Sequence, residues 1–218
     1  MASVDRVTKG ISSLVRRVFA KEPGTHDWGH IERVLALCEH LRAEEGGDAG
    51  VIRLAALLHD LGRTTRFKKR VRLRGHAARG AVIARGILGR RGVEPRVIDA
   101  VAHCITAHSY RGRGRPHTIE AKILFDADKL DSIGAIGVGR AFMFDSELGA
   151  VAHNSPGIDI LGTKMYSRQD SAYREYLFKL RHIKDRLFTK EGRRFARGRN
   201  RFMKQFFQQI EAEVRGLA

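Results

Sequence analysis

The sequence predicts an all-α protein, and three observations carry that expectation. Apolar residues recur at three- and four-residue steps through most of the chain. No alternating run bounded by turns reads as a strand. The breaks between periodic stretches carry helix punctuation: Asp27 or Thr25 and Asp48 as caps, Pro95 at a helix start, and Gly46-Gly47 and Gly62 at helix ends.

In order along the chain, residues 3–20 place Val4, Val7, Ile11, Leu14, Val15 and Val18 on one helical face, and Pro23-Gly24 ends that helix. The segment HDWGHIERV then enters a second helix running to Gly46-Gly47, with His26 and His30 four residues apart. Asp48 caps a third helix over 51–61, whose AALLHDLG end presents His59 and Asp60 after a run of core residues. Residues 63–74 hold seven Lys or Arg and no acid, and are expected to form a mobile loop.

A small-residue helix over 76–91 is suited to close approach, and Pro95 opens another that ends near His103 and His108. Residues 109–117 form a second basic loop. From Thr118 one helical pattern carries Asp126, Asp128 and Asp131 inside apolar surroundings, costly unless the carboxylates are used. Residues 145–163 are expected to be an irregular connection suited to a lid. Amphipathic helices over 169–188 and 190–217 complete the chain.

At 218 residues and 43% hydrophobic composition, the whole chain, 1–218, is expected to form one domain, with the C-terminal helices over 169–217 packed on it. No apolar run reaches the roughly 20 residues of a membrane span, and no signal-peptide core is seen, so a cytoplasmic protein with no membrane partner is expected. Cys38 and Cys104 lie in apolar helical context and read as core residues, not a disulfide. The net charge of +17 attracts polyanions: phosphorylated metabolites, nucleotides or nucleic acid.

The polar residues embedded in apolar helices are His30, His59, Asp60, His76, His108 and Asp128. Two imidazoles and two carboxylates from three helices suit a six-coordinate divalent ion: Mn²⁺ first, then Mg²⁺, Co²⁺, Ni²⁺ or Fe²⁺, with Zn²⁺ also compatible. Such an ion would activate water and polarise a phosphoryl oxygen.

This order of residues resembles the HD-domain metal-dependent phosphohydrolase superfamily, over roughly His26 to Phe142. The resemblance rests on HDWGH, AALLHDLGR, AHS, EAKILFDADKLDSIGAIG and GRAF, and points to a stand-alone bacterial or archaeal branch related to nucleotide pyrophosphohydrolases. It implies a helical bundle around a metal held by His30, His59, Asp60 and Asp128. It also gives His76 and His108 the places of extra histidines that bind a second metal or a phosphate.

Beside these, His26 is expected to line the site or move a proton. Arg63 and Lys129, next to ligands, are expected to meet phosphate, and Asp131 to orient a ligand histidine. Asp126 is expected only to pair with Lys or Arg. The expected activity is hydrolysis of a phosphate ester or anhydride of a nucleotide, with nucleoside triphosphate cleaved to monophosphate and pyrophosphate favoured. The competing readings are a phosphodiesterase or nuclease, or a basic module binding RNA or nucleotide with little catalysis. In the last helix, Phe195, Phe202, Phe206 and Phe207 alternate with basic residues; Phe202 and Phe206 are expected to form an apolar stripe that docks on the core.

Overall fold

Apolar periodicity near 3.6 residues becomes helix throughout: the computed structural model has ten α-helices and no strand among the residues it describes, which are 4–20, 22, 24–68, 71, 73, 75–109, 114–154 and 157–218. Pro23, four basic residues of the 63–74 stretch (Lys69, Arg70, Arg72, Arg74), residues 110–113 and Ser155-Pro156 lie outside them. The chain divides into two compact units, residues 1–128 with 188–191, and residues 129–187 with 192–218.

In the first unit the helices are α1 (Val4–Phe19), α2 (Trp28–Glu45), α3 (Ala49–Leu58), α4 (Thr65–Lys68), α5 (His76–Gly89), α6 (Pro95–Ala107) and most of α7 (Ile119–Leu130). Helix α3 is apolar all round, and Val51, Ile52 and every residue from Leu54 to Leu58 are buried. A helix without a polar face belongs at the centre of a core, and α1, α2 and α6 all pack on α3. Asp27, not Thr25, caps α2, accepting from the His30 backbone N–H at 2.8 Å, and Asp48 caps α3 through Val51. Cys38 and Cys104 are free, buried thiols.

Two sequence expectations are corrected in this unit. The start of the basic stretch is ordered into a 3-10 turn (Leu61–Arg63) and α4, because Glu22 accepts hydrogen bonds from the Thr65 backbone and hydroxyl. Gly62 does not end a helix in a left-handed conformation. It is buried, and a Cβ there would lie 2.1 Å from the His76 carbonyl oxygen and 2.7 Å from the Gly80 nitrogen. Its lack of a side chain lets the 3-10 turn lie on the first turns of α5.

In the second unit are the end of α7, α8 (Gly134–Leu148), α9 (Ala172–Phe178), a 3-10 helix (Leu180–Asp185) and α10 (Lys190–Val214) from Gly192 onward. The expected continuous helix beyond Thr118 breaks at residues 131–133, where the Ser132 hydroxyl bonds the Lys129 carbonyl and Gly134 takes φ +79°. Helix α8 runs on to Leu148, further than expected, and Gly149 closes it in the left-handed conformation. Helix α9 starts three residues later than expected, because Ser171 caps Arg174 and the Asp170 carboxylate accepts from the backbone N–H groups of Tyr166 and Ser171. Short polar side chains that bond their own backbone keep it out of the helix. On α10 the buried residues are Gly192, Ala196, Met203 and Phe207; Phe202 is largely exposed, so the docking stripe is displaced from the one expected.

One acid in this unit sets a pH dependence. Asp145 on α8 is buried, its Oδ2 has no hydrogen-bond partner, and burial together with the nearby Asp170 carboxylate pushes its pKa up to about 7. The folded chain therefore holds a proton that the unfolded chain releases from about pH 4. Stability from this group is greatest below pH 4, falls as pH rises toward 7, and is fully lost above it. Asp145→Asn is expected to melt like the parent at pH 4 and higher at pH 8, by about 2–4 °C per kcal/mol recovered. Differential scanning calorimetry at the two pH values checks this.

Candidate metal centre

Histidine at the end of a helix can return its ring N–H to a carbonyl that the helix leaves unpaired. This occurs twice in the first unit. His59, the C-cap of α3, donates from Nδ1 to the Ala56 carbonyl at 2.8 Å, and His108, the C-cap of α6, donates from Nδ1 to the Ile105 carbonyl at 2.5 Å. A carbonyl only accepts, so both Nδ1 atoms carry the proton and both Nε2 atoms present a lone pair. His30 enters from the first turn of α2, fixed there by the Asp27 cap, and Asp128 from the last turn of α7.

These side chains converge. His30 Nε2 lies 3.3 Å from His59 Nε2, 3.5 Å from Asp128 Oδ1 and 3.7 Å from Asp60 Oδ2. His59 Nε2 lies 3.8 Å from Asp60 Oδ2 and 4.0 Å from Asp128 Oδ1. Donors about 2.1 Å from a shared ion stand about 3 Å apart when adjacent and about 4.2 Å when opposite. The observed separations fall in that interval. The buried Asp60 Oδ2 accepts no well-directed hydrogen bond, His26 Nδ1 lying 2.8 Å away, which is costly for a carboxylate unless a cation meets it. The donor set and its geometry fit a divalent ion.

The other oxygen of Asp60 faces a second group. Asp60 Oδ1 accepts from Arg63 Nε at 2.8 Å and lies 3.6 Å from His108 Nε2 and 3.9 Å from His76 Nε2. The two Nε2 atoms stand 3.3 Å apart, and Arg63 Nη2 is 2.9 Å from His76 Nε2, a nitrogen that must accept because guanidinium only donates. Histidine Nε2 atoms thus face each other on both sides of Asp60.

Charge follows the same arrangement. Burial alone would raise the Asp60 pKa, but Arg63, His59 and His26 hold it well below the ordinary carboxylate range. Burial takes His59 down to about 4, while burial and Arg63 take His76 down to about 3. Near neutral pH the site presents an ionised Asp60 beside uncharged His59 and His76, the states in which these residue types bind metal. His26, partly exposed, places Nδ1 2.8 Å from Asp60 Oδ2, and its pKa is lowered by burial.

The HD-domain family model matches residues 27–133, from the α2 cap past Asp128. YpgQ of Bacillus subtilis, an uncharacterised protein, is 34% identical over 211 residues, 95% of this chain and 93% of that one. The chain belongs to the HD-domain phosphohydrolase superfamily. Among solved HD-like structures, YpgQ in complex with ADP superposes with a TM-score of 0.72 at 30% identity, covering 99% of this chain and 100% of that one. An HD-superfamily hydrolase from Bacillus thuringiensis gives a TM-score of 0.76 at 27% identity over 97% and 98% of the two chains.

The HD centre gathers His26, His30, His59, Asp60, Arg63, His76, His108 and Asp128 within the first unit. Lys129 and Asp131 fall in the second unit, where the Asp131 carboxylate is engaged by Arg140 of α8 at 2.5 Å. Arg63, expected on phosphate, spends Nε on Asp60 and Nη2 on His76, so it also positions the centre.

The role of Asp126 was not visible in the sequence. Fully buried two residues before Asp128, it accepts from the Phe188 and Thr189 backbone N–H groups and from the Thr189 hydroxyl, and so holds residues 188–189, at the start of α10, against α7. A Thr placed just before a helix start is the one local signal of such an arrangement, and nothing in the sequence pairs it with Asp126 across 63 positions.

Proposed function

We propose that this HD-domain protein hydrolyses nucleotides, with nucleoside triphosphates cleaved by water to the monophosphate and pyrophosphate. His30, His59, Asp60 Oδ2 and Asp128 would hold one divalent ion, with manganese the favoured metal. When bound, the ion supplies a Lewis acid for a phosphoryl oxygen and acidifies water near neutral pH.

The observation that carries this reading is Asp60, which divides its two oxygens between two histidine pairs. His76 and His108 point acceptors at Asp60 Oδ1, so a second cation suits them better than a phosphate oxygen, which would need donors. Arg63 keeps Asp60 ionised and oriented. His26, uncharged near neutral pH and with Nδ1 turned to the ionised Asp60, is the group able to take a proton at Nε2 from the attacking water. The ADP-bound structure of YpgQ supports a nucleotide as substrate.

The test is a panel of nucleoside tri-, di- and monophosphates incubated with the purified protein and Mn²⁺, with pyrophosphate and orthophosphate measured separately. Pyrophosphate with stoichiometric monophosphate is the expected result. Orthophosphate alone would move the cleavage to a terminal phosphate, and no turnover of any nucleotide would sink the reading.

A further inference from the structure

Helix α5 and the turn that follows α3 meet through glycine. A Cβ on Gly80 would lie 2.9 Å from the His59 carbonyl oxygen, as one on Gly62 would lie 2.1 Å from the His76 carbonyl oxygen. Contact of this kind sets how closely the turn approaches α5. Directional bonds set where along α5 it sits.

Two arginines supply those bonds. Arg63 Nη2 lies 2.9 Å from His76 Nε2. Arg79, three residues after His76 on α5, donates from Nε to the Gly62 carbonyl at 2.9 Å and from Nη1 to the Leu73 carbonyl at 2.6 Å. One guanidinium therefore grips two stretches of chain. Gly62 lies between Asp60 and Arg63 in the turn, and Leu73 lies three residues ahead of His76. The N-cap of α5 is Gly75, which has no side chain to cap the helix that His76 begins, so the Leu73 bond holds the chain entering it.

We infer that Arg79 is a positioning residue for the half of the metal centre formed by Asp60 Oδ1, His76 and His108. The inference rests on the reading of that half as a second cation site. His76 Nε2 stands 3.3 Å from His108 Nε2 and 3.9 Å from Asp60 Oδ1. Coordinate bonds tolerate errors of about 0.2 Å, so a small slip of the turn along α5 spoils the set. A planar guanidinium holds its two carbonyls at a fixed separation, which an ammonium on a flexible stem does not. The other half is built differently. His30, His59 and Asp128 come from α2, the end of α3 and α7, and neither side-chain bond of Arg79 goes to those elements.

The experiment is calorimetric titration of the full-length, metal-free protein with Mn²⁺, which reads both sites without turnover. The parent is expected to bind about two ions per chain. R79Q is expected to weaken one of them by about tenfold or more, the usual cost of losing support behind metal ligands, and to leave the other within about twofold. H76Q removes a donor of the second site and marks which ion that is. R85Q removes an exposed ion pair with Asp99 from the same helix and is expected to change neither. R79K keeps the charge and reaches one carbonyl at a time, so it is expected to recover only part of the affinity; if R79Q fails to fold, R79K carries the test with a loss of about threefold or more at the ion marked by H76Q.

Equal weakening of both ions in R79Q, weakening of the ion that H76Q leaves intact, or parent-like binding by R79K would overturn the inference while the second cation site stands. A parent that takes up a single ion, with H76Q unaffected, would remove the second site and the inference together.

Discussion

Asp60→Asn is expected to cut turnover by at least about a thousandfold, near 4 kcal/mol of transition-state stabilisation, while the far-ultraviolet circular dichroism stays helical. The size of the effect follows from what Asp60 touches. Its Oδ2 faces His26, His30 and His59, and its Oδ1 faces Arg63, His76 and His108. Asparagine keeps the shape but removes the negative charge that a divalent cation requires, and its NH₂ would point a donor at one of the two clusters. Calorimetric titration with Mn²⁺ should show the matching loss of metal affinity. Full activity in the variant would remove Asp60, and with it the metal-centred reading.

The second large effect is structural. Gly62→Ala should destabilise the protein by about 3 kcal/mol or more, because the added methyl meets backbone on both sides, the His76 carbonyl and the Gly80 nitrogen, and neither can rotate away. Relief requires the 3-10 turn to move off α5, which separates Asp60 and Arg63 from His76. Activity should therefore fall along with stability, and added Mn²⁺ should restore only part of it. Gly89→Ala, in the same helix α5 with nothing within 4 Å of its new methyl, is the contrast. It is expected to be neutral or stabilising by up to about 1 kcal/mol, as alanine favours helix over glycine. Urea unfolding of both variants measures the difference.

The legible part of this molecule was what residue type and local spacing encode. Asp27 and Asp48 cap their helices as their positions ahead of apolar periodic runs require. The four metal-ligand candidates stood out because each is a polar side chain inside an apolar stretch, and the structure places His30 and His59 beside both carboxylates, with Nε2–O separations of 3.5 to 4.0 Å. The His59-Asp60 doublet differs in one respect from a pair sharing a helix: α3 ends at Leu58, and Asp60 sits at φ −102°, ψ 7°, outside it. That departure from the helix is what lets His59 bond back to Ala56 while Asp60 turns toward both clusters.

The less legible part involved partners far away in sequence. Gly62 reads locally as a helix stop, and its true constraint is a backbone that arrives 14 and 18 residues later. Arg63 reads as a phosphate ligand, and it already serves a carboxylate three residues back and a histidine 13 residues on. The amino acids alone determined that the chain is helical and that His30, His59 and Asp60 lie in its core, because periodicity and polarity act over a few residues. Only the tertiary structure decided that Asp60 shares its oxygens between two histidine pairs, that glycine permits the 3-10 turn to touch α5, and that Asp126 secures residues 188–189. Each of these depends on where separate helices cross, which is set by the packing of the whole core and not by any one segment.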